Sequence, residues 1–162
     1  MAPSPTHFLP MSDQPAPDFE LPATGGNRIK LSDFKGRGVV LYFYPKDSTP
    51  GCTTEGQDFR DLYPRFQALG WEIFGISRDS VKSHENFKAK LGMPFDLLAD
   101  VDEMACELYG VMKMKNMYGK QVRGVERSTF AIAPDGSIAR EWRGVKVPDH
   151  ARQVLEFVLT LA

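Results

Sequence analysis

From Asp18 onward the chain alternates between two spacings of apolar residues. Two short strands are predicted on either side of the turn signal Gly25-Gly26-Asn27. After its glycine, the run Gly38 to Tyr44 is continuously β-branched, aliphatic or aromatic, as in a strand buried on both faces, and it stops at Pro45. A polar loop from Lys46 to Gly51 is punctuated by Pro50-Gly51. Phe59, Leu62, Tyr63, Phe66 and Leu69 then recur at helical spacing, with Gly70 as the stop. Pro64 falls inside this pattern and, having no N–H to donate, is expected to kink or divide the helix. Trp71 to Ser77 reads as a second buried strand. Ser80 or Ser83 caps a helix that runs to Leu91, where Gly92 and Pro94 stop it. Phe95 to Ala99 is a short strand, and Asp102 caps a short helix ending at Gly110. Residues 113–124 read as an exposed loop or hairpin. Pro134-Asp135-Gly136 joins two strands, Ser128–Ala133 and Ser137–Trp142. Pro148 opens a last helix, whose Ala151, Val154, Leu155, Val158 and Leu161 form an apolar stripe.

This order predicts an α/β domain with a mixed central sheet, helices on both faces and an N-terminal hairpin extension, which is the order of the thioredoxin fold. Six of the twelve prolines stand in the first 22 residues, without Lys, Arg or the apolar stretch of a secretory signal. A flexible, Pro-rich arm is therefore expected at 1–14, with Met11 as an alternative start, followed by one domain at 15–162. At 162 residues, such a domain buries roughly 70% of its unfolded-state surface. The 42% hydrophobic and 25% charged content is too apolar for a disordered chain. Two cysteines build neither a disulfide scaffold nor a four-cysteine zinc site. A net charge of −1 gives no footprint for nucleic acid. The longest apolar run, Val39 to Tyr44, is far short of the roughly 20 residues of a membrane span.

The remaining chemistry centres on Cys52. It follows a buried strand by a short Pro-Gly loop and stands at or near the first turn of the next helix, where free N–H groups and the positive end of the helix dipole favour a thiolate nucleophile. Thr49 either aims its hydroxyl at whatever the sulfur attacks or satisfies the loop backbone. Glu55 reads as a capping carboxylate, whose charge opposes a thiolate unless an arginine compensates. Arg127 opens the Ser128 strand. If that strand lies beside Val39–Tyr44, its guanidinium approaches Cys52, although local sequence alone favours a solvated strand-end arginine.

The segment Phe43-Tyr-Pro-Lys-Asp-Ser-Thr-Pro-Gly-Cys-Thr-Thr-Glu55 resembles the peroxidatic loop of peroxiredoxins, in its fuller form that of the bacterioferritin-comigratory, or Q-type, subfamily. Asp18-Phe-Glu-Leu-Pro, Leu31-Ser-Asp-Phe-Lys-Gly36, Gly75-Ile-Ser77, Leu98-Ala-Asp100, Tyr109-Gly-Val111 and Arg127-Ser-Thr-Phe130 extend the likeness over 15–160. The resemblance implies a thiol-dependent peroxidase acting on hydrogen peroxide and small organic hydroperoxides, with no metal or organic cofactor. It implies that Cys52 is the peroxidatic cysteine with Thr49 and Arg127 as catalytic partners, that Pro45 shields the pocket, and that Gly51 and Cys52 offer backbone N–H groups to the peroxide. Thioredoxin is the default reductant, with glutaredoxin, glutathione or another thiol open, and the expected state is a monomer or weak dimer.

Two departures bear on the cycle. Many Q-type members place a resolving cysteine five residues after the peroxidatic one, where this chain has Gln57; others place it on the helix after the second core strand, but Ser80 to Leu91 contains none. Cys106 is the other thiol. It reads as a partly buried helix residue, with an intramolecular resolver as the alternative, and a one-cysteine cycle is expected. A thiol–disulfide oxidoreductase is disfavoured because Glu55, not cysteine, stands three residues after Cys52. A redox-sensing switch through Cys52 is the non-catalytic rival. His7, His84 and His150 read as surface residues, Asp100, Asp102 and Glu103 as helix-capping acids, and the basic, Met-containing stretch 113–123 as a solvated loop. A catalytic thiol without an export signal fits the cytoplasm.

Overall fold

The computed structural model describes residues 11–161. Strands β1 (Glu20–Pro22) and β2 (Arg28–Lys30) form the predicted hairpin. Between them Gly25 and Gly26, at φ +79° and +72°, take the left-handed conformation the turn requires. There follow β3 (Gly38–Phe43), α1 (Pro50–Ala68), β4 (Trp71–Ser77), α2 (Val81–Leu91), β5 (Leu97–Ala99) and α3 (Met104–Leu108). A second hairpin, β6 (Met112–Met117) and β7 (Lys120–Val125), precedes β8 (Ser128–Ile132), β9 (Ile138–Arg143) and α4 (His150–Thr160).

The central sheet runs β5-β4-β3-β8-β9. It is mixed, because β3 lies parallel to β4 and antiparallel to β8. The period of two sends Val40, Tyr42 and Tyr44 to one face, and Val39, Leu41 and Phe43 to the other. The first face packs against Phe59 and Phe66 of α1, Phe87 of α2, and Val154 and Val158 of α4. The second is covered by Phe19 and Leu21, by Ala105 and Cys106 of α3, and by Tyr109. Both faces are therefore dry, so β3 reads as a run rather than an alternation.

Several local expectations shift. Pro64 does not divide α1, which is one helix through Ala68. The missing N–H costs about 3 kcal/mol in a helix interior, but Phe59, Tyr63 and Phe66 on both sides of Pro64 are anchored in the core and hold the axis. The cap of α3 is Asp100, not Asp102: its carboxylate accepts the N–H groups of Ala105 and Cys106 at 3.2 and 2.7 Å. The last helix begins at His150, two residues after Pro148. His84 and His150 are buried rather than on the surface, and each has a polar partner. His7 and residues 1–10 of the expected arm lie outside the described residues. Residues 11–14 lie against β9, where the Asp13 N–H donates to the Ile138 carbonyl (2.7 Å) and the Ile138 N–H to the Gln14 carbonyl (2.8 Å).

Candidate active site

The ends of β3 and β8 and the start of α1 meet at one point. β3 carries the chain to Tyr44 and Pro45, and the loop 46–49 turns it into α1. Pro50 occupies the first helical position, where its missing N–H costs nothing, and Thr49 is the N-cap residue. The first amide of α1 in a backbone bond at this end is that of Thr53, which donates to the Thr49 carbonyl at 2.9 Å. Helix geometry thus leaves the Gly51 and Cys52 N–H groups without an intrahelical acceptor. Register brings the other half: Phe43 pairs with Ser128, so Arg127 emerges beside the end of β3.

Cys52 is 2% exposed. Arg127 donates from Nη2 to its Sγ at 3.4 Å and from Nη1 to Glu55 Oε1 at 2.6 Å. One guanidinium therefore bridges the sulfur and a carboxylate one helical turn further on. Gly51 leaves room for it, because a Cβ there would stand 3.2 Å from Nη2. Of the two readings of Arg127, a solvated strand end or a guanidinium beside Cys52, the largely buried side chain fits the second. Glu55 is not a cap but the counter-ion of Arg127, itself 1% exposed. Burial pushes the Glu55 carboxyl up to about 7, even though Arg127 pulls it down. Its Oε2 has no partner among the described residues, and the same holds for the buried Tyr42 hydroxyl.

Thr49 stands at the rim. Its hydroxyl donates to the Lys46 carbonyl at 2.8 Å, so its proton serves the loop and its lone pairs remain for an incoming donor. Pro45 is half-buried on the same rim. Lys115 of β6 donates to the Val125 carbonyl at 2.6 Å and lies within electrostatic reach of Cys52 and Arg127, which places the basic hairpin beside the site. The stretch is the β6–β7 hairpin, most of it exposed, in line with the exposed loop or hairpin read from the sequence.

Cys106 does not join the site. Cys52 belongs to the core on one face of the sheet and Cys106 to the core on the other. Burial raises the Cys106 thiol far above the usual range, and Asp100 adds to the shift. Sequence reasoning missed the Asp47–His84 contact (2.7 Å), which pins the loop before Cys52. Its only signal was a histidine at an inward position of α2, one residue after Ser83, and nothing local marks its partner 37 positions away.

A family model described as the AhpC/TSA family matches residues 12–141. Peroxiredoxin Bcp of Xanthomonas campestris pv. campestris is 55% identical over 143 residues, covering 87% of this chain and 89% of that protein. Peroxiredoxin Bcp of Bacillus subtilis is 50% identical over 143 residues, covering 88% of this chain and 91% of its own. A solved structure of the Xanthomonas campestris bacterioferritin comigratory protein, studied for its alkyl peroxide reduction activity, has a TM-score of 0.85 at 52% identity and covers 88% of this chain and 91% of that one.

Proposed function

The chain belongs to the AhpC/TSA family, in its Bcp-type peroxiredoxin branch, and from that premise we propose that Cys52 is the peroxidatic thiol of a thiol-dependent peroxidase acting on hydrogen peroxide and small organic hydroperoxides. The observation that carries the site is the Arg127 N–H aimed at the Cys52 sulfur, at the N-terminus of α1.

The Cys52 thiolate attacks one peroxide oxygen along the O–O axis. An S–O bond forms, the O–O bond breaks, and negative charge moves to the departing oxygen. The Arg127 guanidinium and the Gly51 and Cys52 N–H groups stabilise that charge, the Thr49 oxygen accepts a hydrogen bond from the hydroperoxide O–H, which stays on the attacked oxygen, and Pro45 walls the pocket. The departing oxygen takes a proton and leaves as water or alcohol, and Cys52 is left as a sulfenic acid. No helix among the described residues is long and apolar enough to cross a membrane, and reducing thiols of the cytoplasm suit the return half of the cycle.

That return half runs through an external thiol, with thioredoxin as the first candidate. A one-cysteine cycle is supported by Gln57 and by the helix 81–91, which offer no second thiol, and by the sheet standing between Cys52 and Cys106. A disulfide needs Cα atoms within about 7 Å. The test is steady-state peroxide consumption with thioredoxin and with glutathione, together with intact mass after one equivalent of peroxide. Cys52→Ser abolishes turnover; retained turnover refutes the site. A mass loss of two hydrogens without dimerisation, absent from Cys106→Ser, overturns the one-cysteine cycle.

A further inference from the structure

Asp47 is the fixed point of the loop between β3 and α1. Its Oδ1 accepts the Tyr44 hydroxyl at 2.6 Å, and its Oδ2 accepts the Ser83 hydroxyl at 2.8 Å. The same Oδ2 stands 2.7 Å from Nδ1 of His84, and the Asp47 N–H donates to Asp79 Oδ2 at 2.8 Å. His84 is fully buried, and its Nε2 faces the Leu98 carbonyl of β5 at 2.8 Å. A carbonyl only accepts, so Nε2 carries a proton. Nδ1 faces a carboxylate that already takes two hydroxyl protons, so it is placed to donate as well. Burial raises the Asp47 carboxyl, but the bonds from His84, Tyr44 and Ser83 outweigh burial and hold it below the usual range.

Asp47, Asp79 and His84 bring three potential ligand atoms within 4.8 Å of one another. Those atoms are engaged already: Asp79 Oδ2 accepts the Ser77 hydroxyl at 2.5 Å as well as the Asp47 N–H, and both His84 nitrogens point at acceptors. The cluster is therefore read as a hydrogen-bonded network.

The next residue adds an independent observation. Ser48 has φ +65°, the left-handed conformation that a residue with a Cβ adopts at a cost. Asp47 anchors the chain before it, and the Thr49 hydroxyl closes back on Lys46 after it. The turn is strained and held. Beyond it, Cys52 is 2% exposed, which a small peroxide tolerates and an approaching thiol sulfur does not.

We propose that the His84–Asp47 ion pair is a latch. It keeps the strained turn closed over Cys52 during attack on peroxide, and its release lets Ser48 relax and the start of α1 open to the reductant. His84 and Asp47 are then positioning residues, and the inference rests on Cys52 being the peroxidatic thiol. In the step it controls, the reductant sulfur bonds to the Cys52 sulfur, the S–O bond breaks, and the hydroxyl leaves as water with the thiol proton. A second thiol displaces Cys52 and leaves as the reductant disulfide.

The experiment compares the wild type with His84→Gln and Ser48→Gly. Stopped-flow tryptophan fluorescence reads oxidation by hydrogen peroxide, and thionitrobenzoate consumption reads reduction of the sulfenic acid. His84→Gln keeps an N–H donor but loses the cation; it oxidises about tenfold more slowly, while its sulfenic acid is reduced faster than in the wild type. Ser48→Gly removes the strain and moves the other way, with reduction slowed and oxidation kept. A general loss of structure slows both half-reactions together, so rates that move in the same direction, or that do not change, overturn the latch. The wild type alone supplies a second reading: nitrogen NMR of the His84 ring shows both nitrogens protonated at neutral pH, and one bare nitrogen overturns the proposal. If wild-type Cys52 gains no oxygen from peroxide, the peroxidatic reading falls and the latch with it. If it gains oxygen and the variants show no opposed change, the latch alone falls.

Discussion

Glu55→Gln gives the sharpest test of the electrostatics at the site. The exchange keeps the volume of the side chain and an oxygen for Arg127 Nη1, and removes only the charge. Burial raises the Glu55 carboxyl from 4.5 to about 7. Over that interval the folded chain holds a proton that the unfolded chain has lost, so the group's contribution to stability falls as pH rises from 4.5 to 7 and is constant above. At about 1.4 kcal/mol per pH unit, the whole effect is about 3 kcal/mol, and with the side chain 1% exposed no screening by solvent reduces it. His150 acts in the opposite direction. Burial, with Arg127 adding to it, lowers His150 from 6.5 to about 4, so its contribution rises with pH across that window. The wild type alone is therefore nearly flat where the two overlap, and the informative quantity is the difference between the two proteins. Urea unfolding at a series of pH values checks it. Glu55→Gln gains about 3 kcal/mol on the wild type between pH 4.5 and pH 7.5. A difference that stays constant with pH refutes the assignment of a buried, proton-holding Glu55.

Other outcomes follow from single contacts. Arg127→Ala slows Cys52 oxidation by peroxide about a hundredfold and leaves the circular dichroism spectrum in place; an unchanged rate removes Arg127 from the site. Gly51→Ala puts a Cβ 3.2 Å from Arg127 Nη2 and forces the guanidinium off the sulfur, which a several-fold lower second-order oxidation rate at unchanged melting temperature reports. Tyr42→Phe deletes a buried hydroxyl with no partner among the described residues, and is neutral or stabilising by about 1 kcal/mol in denaturant titration; a loss above that size means that the hydroxyl is paired. Asp100→Ala strips the N–H caps of Ala105 and Cys106 and costs about 1–2 kcal/mol, checked by thermal unfolding.

Much of the fold is written locally. The dry run at Gly38–Tyr44, the Ser80 cap with its Ser83 N–H, and the hairpins at Gly25-Gly26 and Pro134-Asp135-Gly136 each carry their signal within a few residues, and each forms close to the predicted place. Where prediction failed, a distant partner decided the outcome. Pro64 survives inside α1 because core anchors on both sides outweigh its missing bond. Asp102 yields the α3 cap to Asp100 because only Asp100, held at the end of β5, reaches the free N–H groups. Glu55 looks like a capping carboxylate until Arg127, 72 positions away, takes it as a counter-ion.

The sequence by itself marked Cys52 as the candidate nucleophile, because the strand, the Pro-Gly turn and the helix start that surround it are contiguous, and the chemistry of a helix N-terminus travels with them. Tertiary structure decided which charges meet that sulfur and which thiol is kept from it. Register between β3 and β8 delivers Arg127, packing of α2 under the loop delivers His84 to Asp47, and the sheet puts Cys106 in the opposite core. The physical reason is the same each time: ion pairs and burial depend on distance in space, and a linear pattern records only distance along the chain.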